Sequence, residues 1–455
     1  RHVMRYQLTD GPTMASRSLG AILAPGILAV LLMTWLLSVP AALGQGVALR
    51  AVRAVSEGMG GAGVAAPLDT AGAIHCNPAS ITGLNSSEMT FGMGLILPDT
   101  EVASRVNANA LGPGVPGATM SGSSNSEPGA IPVPCMAFVH QVANSPWTYG
   151  LGIYGIGVSR VNYSASSTNP VLTPQPPYGI GLGRLSAEVD IVQIAHTAAY
   201  ALDEHWSVGF APTVTMAKLI ASPLFLGPAY GAYDNYSSGV GTRYAWGGGC
   251  QAGVYTVTDL GWHFGATIKS PQWMEPFRYK SEDNLGYART VTYDLDYPLI
   301  ASLGTAYSGF EDWVFACNVR YFDYANAQGF QDRGYGSEGE LLGLGWRSIF
   351  SVCFGVQRQI SEKLYLRAGY CFNENPISSS SAMYNVASPL IIQHTLHTGL
   401  SYTFAENWSV ALSYVHCFEN SVSGPWRTAH GNLAGTSITS TAAADEAGLQ
   451  ISKRF

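Results

Sequence analysis

The feature that most constrains the fold is the alternation of short and long connections between apolar segments. Turns of a few polar residues, usually followed by tryptophan, occur in VANSPWTYGL, YALDEHWSVGF, YSGFEDWVFAC and YTFAENWSVAL. Between them lie long segments rich in Gly, Pro and Ser, at 98–128, 163–184, 327–344 and 421–440. Outer-membrane barrels have short periplasmic turns, long external loops and aromatic girdles. A soluble sandwich has no reason to sort its connections in this way.

The apolar segments themselves alternate in side-chain size. In WSVALSYV, which begins at Trp408, bulky residues alternate with small ones. This period fits a lipid face and a lumen face, but it also fits a sandwich with its bulky face inward. The sorted connections and the two ends of the chain favour the barrel. The predicted strands are 86–97, 129–143, 147–161, 185–201, 206–220, 242–257, 261–274, 289–308, 312–325, 345–360, 363–375, 391–404, 408–419 and 442–455.

Composition excludes several other classes of protein. Only 12% of the residues are charged, against roughly 25% in ordinary globular proteins. The net charge of −7 argues against a nucleic-acid partner, which requires a basic surface. Because aromatic residues make up 11% of the chain, a disordered protein is also excluded.

The N-terminal 44 residues resemble an extension followed by a signal peptide. Arg17 precedes the apolar run 21–39, and small residues at 42–44 suit a signal peptidase that cleaves after Gly44. An uncleaved membrane anchor is the alternative, because the apolar run is long for a signal peptide. The three predicted regions are therefore 1–44 (extension and signal peptide), 45–85 (a plug, or hatch) and 86–455 (the barrel).

The C-terminal sequence GLQISKRF places Leu449, Ile451 and Phe455 on one face of a final strand. A last strand that ends in an aromatic residue resembles the signal read by the bacterial barrel-assembly machinery. We therefore expect a bacterial outer-membrane protein that contacts this machinery through Phe455 and contacts outer-membrane lipid through its wall.

Residues 46–85 are rich in Gly and Ala and do not alternate, so they are not expected to form a membrane strand. They contain GMGGAGVAAPLDTAGAIHCNPASITGL, with the motif Asn77-Pro78-Ala79, and the chain continues with AHTAAYALDEHWSVGF, WGGGCQAGV and PLIASLGTAYSGFEDW. In these segments the chain resembles the FadL/TodX family of outer-membrane transporters for long-chain fatty acids and aromatic hydrocarbons. An ordinary Asn-Pro turn is the alternative interpretation of the motif.

The resemblance implies an all-β fold, a transmembrane antiparallel β-barrel of about fourteen strands with an N-terminal hatch in its lumen. It also implies that a hydrophobic small molecule binds at the external loops, passes into the barrel and leaves sideways into the membrane. The alternative is a general or structural porin-like barrel without a specific hydrophobic ligand. Scarce charge and the hatch-like segment favour the transporter.

The third predicted strand, WTYGLGIYGIGVSRV, changes the parity of its bulky residues within the stretch Ile153, Tyr154, Gly155 and Gly157. A register change in a glycine-rich strand predicts a β-bulge. In the family that this chain resembles, the third strand is kinked and opens the wall. A glycine-rich strand that packs on the hatch without any opening is the alternative.

Two external connections carry unusually apolar residues. Leu224, Phe225 and Leu226 follow the fifth predicted strand, and Trp273 and Phe277 precede Arg278 in the next external loop. Together they predict an apolar groove with a cationic rim, suited to a fatty-acid tail and its carboxylate. Loops that only pack on each other are the alternative.

Catalytic, metal and cofactor sites are not predicted. His394 and His397 lie three apart in a strand, so they point to opposite faces and do not chelate one metal ion. His75 beside Cys76 is better explained as structural. The chain lacks the GxSxG motif, a P-loop and a GxGxxG helix start.

The seven cysteines have no CxxC spacing. The short turn ISEK makes Cys353 and Cys371 neighbours on adjacent strands, both directed into the lumen. We predict adjacency rather than a disulfide, because antiparallel neighbours give that bond a strained geometry.

Overall fold

The computed structural model describes residues 46–229, 235–237, 242–282, 287–429 and 431–455. The predicted extension and signal peptide, and Gln45 at the start of the predicted hatch, lie outside the described residues. Everything below concerns the described part of the chain.

Long antiparallel strands form one large sheet. The sheet contains sixteen strands, of which two are short, Met120–Asn125 and Trp273–Met274, so that fourteen form the wall. The wall strands are β1 (Glu88–Val106), β2 (Ile131–Gln141), β3 (Trp147–Tyr163), β4 (Leu185–Ala201), β5 (Trp206–Ser222), β6 (Arg243–Val257), β7 (Trp262–Lys269), β8 (Ile300–Tyr307), β9 (Trp313–Phe322), β10 (Ile349–Ser361), β11 (Leu364–Asn373), β12 (His394–Ala405), β13 (Trp408–Gly424) and β14 (Thr436–Arg454).

The sheet closes on itself. Each wall strand pairs with the next one, and β1 pairs with β14 from Glu88–Arg454 to Val106–Thr436. Closure removes the free strand edges that an open sheet would expose. The predicted fourteen-stranded antiparallel barrel is confirmed.

The outer surface of the wall is apolar. Large exposed side chains occupy every second position, for example Phe91, Met93 and Leu95 in β1. Tryptophans are the first residues of β3, β5, β7, β9 and β13, each directly after a short turn. This arrangement matches a lipid-facing band with an aromatic girdle at its periplasmic edge.

The long connections form short hairpins and 3-10 turns beyond the wall. The paired segments are Phe277–Glu282 with Ala288–Tyr293, Arg333–Tyr335 with Leu341–Leu344, and Arg427–Thr428 with Gly431–Asn432, and the turns are Pro170–Leu172, Tyr324–Asn326 and Ser379–Asn385. The predicted strand 289–308 is therefore wrong in its first half. Residues 288–293 pair in an external hairpin, and the wall strand begins only after Pro298, which has no N–H for a ladder bond.

Residues 46–85, which we call the hatch, are mostly buried and contain α1 (Ala54–Gly58), α2 (Thr70–Cys76) and the 3-10 helix Pro78–Gly83. The first helix contacts β11–β14, the second contacts β1–β4, and the 3-10 helix contacts β3–β6. A segment that touches strands around the whole circumference of a closed barrel lies in its lumen. Neither hatch helix is long or apolar enough to cross a membrane, and the same holds for every other described helix.

Candidate functional site

The Asn77-Pro78-Ala79 motif connects the hatch to the wall. Asn77 caps the 3-10 helix, and its Oδ1 accepts a hydrogen bond of 3.1 Å from the Ala79 amide. Its Nδ2 donates to the carbonyl oxygens of Val64 at 3.0 Å and of Val254, in β6, at 2.9 Å. One buried side chain therefore joins two hatch segments to the barrel.

Glycines in the wall make room for this motif. At Gly209 in β5 a Cβ would collide with the backbone of residues 78 and 79, and at Gly253 in β6 it would collide with the Asn77 carboxamide. Gly265 in β7 stands equally close to the Val64 carbonyl. The hatch therefore touches the wall backbone directly on this side of the barrel.

Charged groups attach the hatch on the other sides. Arg50 forms an ion pair with Glu446 of β14. Arg320 of β9 donates to the Arg50 carbonyl at 2.7 Å and also to the Gly61 carbonyl. Burial alone would lower the pKa of Arg50, but the nearby Glu446 and Cys417 outweigh burial and raise that pKa above its usual value. Arg50 is therefore a permanent cation inside the lumen.

A second buried pair sits in α1 and the residue before it. Arg53, which is fully buried and has a positive φ of 70°, lies 3.5 Å from Glu57. Its side chain occupies the space that side chains at Gly92 and Gly94 of β1 would fill. Burial raises the pKa of Glu57, although Arg53 opposes this effect.

A third attachment lies where β1 begins and β14 ends. Gln450 donates to the Asp69 carboxylate at 3.2 Å, and Thr70 donates to Glu88 at 3.1 Å. Burial, helped by the negative charge of Glu88, raises the pKa of Asp69 to about 7. The charge of this hatch residue therefore changes near neutral pH.

The bulge predicted in the third strand is present. The register between β3 and β4 shifts between Gly155 and Gly157. The ladder between β2 and β3 runs from Gln141–Thr148 to Cys135–Tyr154 and ends there, although β3 continues to Tyr163. In this fully described stretch, residues 155–163 have no ladder partner in β2, and we call this interruption the wall gap.

The start of the hatch lies against the wall gap. Ala48 forms a bridge with Gly157, the Leu49 amide donates to the Ile156 carbonyl at 2.8 Å, and the Val158 amide donates to the Val47 carbonyl at 3.3 Å. The main chain of residues 47–49 thus takes part of the place that β2 leaves empty.

A recess of about 550 Å³ opens beside the gap on the outer surface. Its lining is mainly apolar and comes from β14 and the first four wall strands: Phe91, Met93, Pro134, Cys135, Met136, Ile153, Tyr154, Val192, Leu449 and Ile451. An apolar recess in the lipid-facing surface can hold a hydrophobic molecule between the barrel wall and the membrane.

One buried apolar cluster connects the external loops with the gap. It contains Leu224 and Phe277 from the loops and Val47 and Ile156 beside the gap. Tyr297 lies between them, and its hydroxyl donates to the Ile156 carbonyl at 3.3 Å.

Comparison with known proteins gives the same architecture. The family model described as "Outer membrane protein transport protein (OMPP1/FadL/TodX)" matches residues 35–455. The chain belongs to this family. The long-chain fatty acid transport protein of Escherichia coli O6:H1 is 22% identical over 409 residues, which are 79% of this chain and 85% of that protein.

Solved structures of other FadL/TodX proteins share the fold. A Pseudomonas aeruginosa FadL homologue has a TM-score of 0.67 at 14% identity, over 90% of this chain and 100% of that one. The Pseudomonas putida toluene transporter TodX has a TM-score of 0.63 at 15% identity, over 90% and 99% of the two chains. This FadL/TodX chain is accordingly a barrel of the bacterial outer membrane.

The six loop residues predicted to bind ligand do not share one environment. Leu224, Leu226 and Phe277 are buried, and Phe225 is half-buried against them. Trp273 and Arg278 are exposed, and Trp273 pairs with β6 at Gly248. Four of the five apolar loop residues of this FadL/TodX chain therefore lie inside the loop layer, whereas Trp273 and the predicted cationic rim residue Arg278 point to solvent.

The cysteine prediction is correct in its register and wrong about the bond. Cys353 and Cys371 are direct partners in the β10–β11 ladder, with Cα atoms 4.1 Å apart, and they form a disulfide. Both are fully buried against Met59 and Ala62 of the hatch, so both face the lumen as predicted. The close approach of this residue pair brings the two sulfurs within bonding distance, which the sequence argument underestimated.

Two features of the site were missed in the sequence. Pro132 and Pro134 of β2 lie beside the wall gap and supply no N–H, and a strand with two such prolines is typical of a sheet edge. That signal was available. The pairing of residues 47–49 with β3 had no counterpart in the sequence, because it joins segments more than a hundred residues apart.

Proposed function

We propose that this protein carries hydrophobic compounds, such as long-chain fatty acids or aromatic hydrocarbons, through the barrel wall into the outer membrane. The ligand enters between the external loops, follows the apolar cluster around Tyr297 and leaves through the wall gap beside Ile153, Tyr154, Gly155 and Gly157. The observation that carries the proposal is the apolar recess at a break in the β2–β3 ladder.

The hatch supports a sideways exit rather than an axial one. Its residues contact strands around the whole barrel and are held by Asn77, Arg50 and Arg320. A solute that moved straight along the axis would have to displace this segment. Residues 47–49 are held at the gap by main-chain hydrogen bonds to β3. If these bonds break, movement of residues 47–49 alone would widen the gap.

The names of the relatives support the class of ligand. The Escherichia coli relative is a long-chain fatty acid transport protein, and TodX is a toluene transporter. Leu224, Phe225, Leu226, Trp273, Phe277 and Arg278 remain our candidates for first contact with ligand. In this proposal Trp273 and Arg278 act at the exposed surface, and the other four form the apolar interior that ligand enters.

Deletion of Ile156 tests the exit, because it removes the extra residue that bends β3 beside the wall gap and makes its register with β4 continuous. Full-length protein in proteoliposomes should take up labelled palmitate and toluene, and the deletion should reduce both rates at least tenfold. Deletion of Gly112, in an open external loop where a Cβ would meet no atom within 4 Å, is the matched control.

A second variant keeps the test valid if the deletion does not fold. The double substitution Pro132→Thr and Pro134→Thr restores two N–H donors to β2, and it should also slow uptake. Normal uptake by either folded variant contradicts the sideways exit. Equal permeability to glucose and palmitate would instead support the porin-like alternative.

We further infer that Phe455 is read by the barrel-assembly machinery. It is an exposed aromatic residue at the chain end, and its amide donates to the Ser87 carbonyl at 3.0 Å. Deletion of Phe455 should lower the amount of folded protein in outer membranes, while refolding of the purified chain in detergent should be unchanged. Normal insertion in cells would contradict this inference.

A further inference from the structure

Four charged side chains form one cluster on the lipid-facing side of the wall. Arg160 in β3 is the ladder partner of Glu188 in β4, and Asp190 in β4 is the partner of Lys218 in β5. Their neighbours in sequence, such as Ala187, are buried toward the lumen, so these four point outward. We call Arg160, Glu188, Asp190 and Lys218 the charged quartet.

The depth of the quartet in the membrane follows from the strand length. Tyr200 marks the periplasmic girdle, where its ring packs 4.9 Å from that of Trp147. Asp190 is ten residues away along β4. At about 3.3 Å per residue and a tilt of about 40°, this distance corresponds to roughly 25 Å, the height of the apolar band of such barrels.

The quartet is thus at the outer boundary of the hydrocarbon layer. Tyr244 and Trp246 of β6, which are strongly exposed, are the ladder partners of Lys218 and Met216. Exposed aromatic side chains at this height are typical of a membrane interface. The four charges therefore lie at the level of the outer-leaflet head groups.

The charges neutralise one another without using all their donors. Lys218 Nζ lies 2.5 Å from Glu188 and 3.3 Å from Asp190. Arg160 directs one nitrogen, Nη2, to both carboxylates and lies 3.7 Å from Asp190. A guanidinium has five N–H donors and an ammonium has three, so both cations keep donors for another acceptor. All four side chains remain partly exposed.

We propose that the charged quartet binds the phosphate head group of an outer-leaflet glycolipid. In the outer leaflet of the bacterial outer membrane, such lipids form a layer of phosphates bridged by divalent cations. Arg160 and Lys218 suit the phosphates, and the two carboxylates suit the bridging cations.

Because the charged quartet lies beside the wall gap, a lipid bound there affects the gap. Val192, two residues from Asp190 on the same face, lines the apolar recess. A lipid whose phosphate sits on the quartet extends its acyl chains across that recess. The lipid therefore covers the gap from the membrane side, and this consequence, unlike the binding site itself, rests on the proposed exit.

Native mass spectrometry of the full-length protein in detergent tests the binding site. Diphosphorylated lipid A should form a retained one-to-one complex, whereas dephosphorylated lipid A, phosphatidylglycerol and inorganic phosphate should not. The double variant Arg160→Gln and Lys218→Gln should bind about thirtyfold more weakly, the loss expected for two basic side chains at a lipid phosphate layer.

Two controls separate binding from folding. The fourfold variant Arg160→Gln, Glu188→Gln, Asp190→Asn and Lys218→Gln keeps hydrogen-bonding groups but removes all four charges, and it should also lose the complex. Lys453→Gln removes a cation that sits over Trp408 at the periplasmic girdle and should bind normally. Wild-type affinity in the folded fourfold variant, or equal binding of dephosphorylated lipid A, overturns the proposal. Uptake assays are not needed, so its failure is distinct from failure of the exit route.

Discussion

The seam between β14 and β1 and the gap between β2 and β3 are nearly adjacent parts of one wall, yet they behave in opposite ways. The seam is paired without interruption over the full length of β1. The β2–β3 ladder instead ends at Cys135–Tyr154, and the hatch lies against the unpaired part of β3. A closed barrel can therefore keep one local opening if the backbone of two neighbouring strands cannot complete its ladder.

Proline and glycine explain the difference. Pro132 and Pro134 remove two donors from β2, and Gly155 and Gly157 flank the bulge in β3. The seam also contains a proline, Pro98, but it lies where β1 changes partner from β2 to the short strand Met120–Asn125. Prolines are thus tolerated here where one edge of the strand has no partner.

The largest effect is expected from proline in the seam. Ala447 of β14 is paired on both sides, with Leu95 and Tyr414. Ala447→Pro removes a ladder bond whichever way its N–H points, and proline is not tolerated in a strand that is paired on both sides. We expect no folded, heat-modifiable barrel on gels, whereas Pro134→Val in β2 should fold. A folded A447P barrel would show that the seam tolerates proline as well as the strand beside the gap does.

The hatch also has a firmly held side and a weakly held side. Asn77→Ala removes the bonds to Val64, Val254 and Ala79 and leaves these buried backbone groups unpaired, at about 1–3 kcal/mol each and roughly 3–5 kcal/mol together. Hydrogen exchange should show the hatch opening more often inside an intact barrel.

The matched control is Asn326→Ala, which removes hydrogen bonds from an exposed external turn. It should leave hatch exchange unchanged. Equal protection of the hatch in the N77A and wild-type proteins would mean that the wall glycines alone hold this side.

A smaller effect is expected from pH at the attachment around Asp69. Its pKa is about 7 in the folded protein and near 3.9 when unfolded, so the folded state binds the proton more tightly. The stability from this group is therefore complete below about pH 4 and decreases as pH rises to about 7, by about 4 kcal/mol at most. Protection of the hatch amides, measured relative to their intrinsic exchange rates at each pH, should be weaker at pH 7.5 than at pH 5.

Asp69→Asn, a neutral isostere, should flatten this pH dependence. Asp99→Asn, which changes an exposed carboxylate on the outer face, should leave it unchanged. If the protection of the hatch amides in D69N depends on pH as it does in the wild type, another group controls the attachment.

The smallest effect is expected from the disulfide. Cys353 and Cys371 are already ladder partners on either side of a short turn, so their bond adds less than the roughly 3 kcal/mol that loop length alone suggests. Alkylation in denaturant without reductant should count five thiols and, after reduction, seven. A count of seven thiols before reduction would show that Cys353 and Cys371 do not form the disulfide.

The architecture was predictable because the sequence features that specify a membrane barrel are local. The period of two, the tryptophans after short turns and the length of the loops each depend on neighbouring residues only. The strand predicted at 289–308 failed for the same reason, since residues 288–293 alternate equally well in an external hairpin.

The site was predictable in part. A glycine-rich change of parity is enough to place a bulge near Gly155, and the short turn ISEK is enough to place Cys353 beside Cys371. The loop residues around Leu224 and Arg278 were harder to place, because side-chain exposure in a loop depends on which other loops cover it.

By itself, then, the sequence determined the wall, its orientation pattern, the family and the position of the bulge, all from periodicities and short motifs. Only the tertiary structure decided that residues 47–49 pair with β3, that Asn77 reaches β6, and that Arg160, Glu188 and Lys218 meet on the outer face. These contacts join residues far apart along the chain or depend on the exact register of three strands. Because a shift of one residue would turn every side chain to the opposite face, no local pattern specifies them.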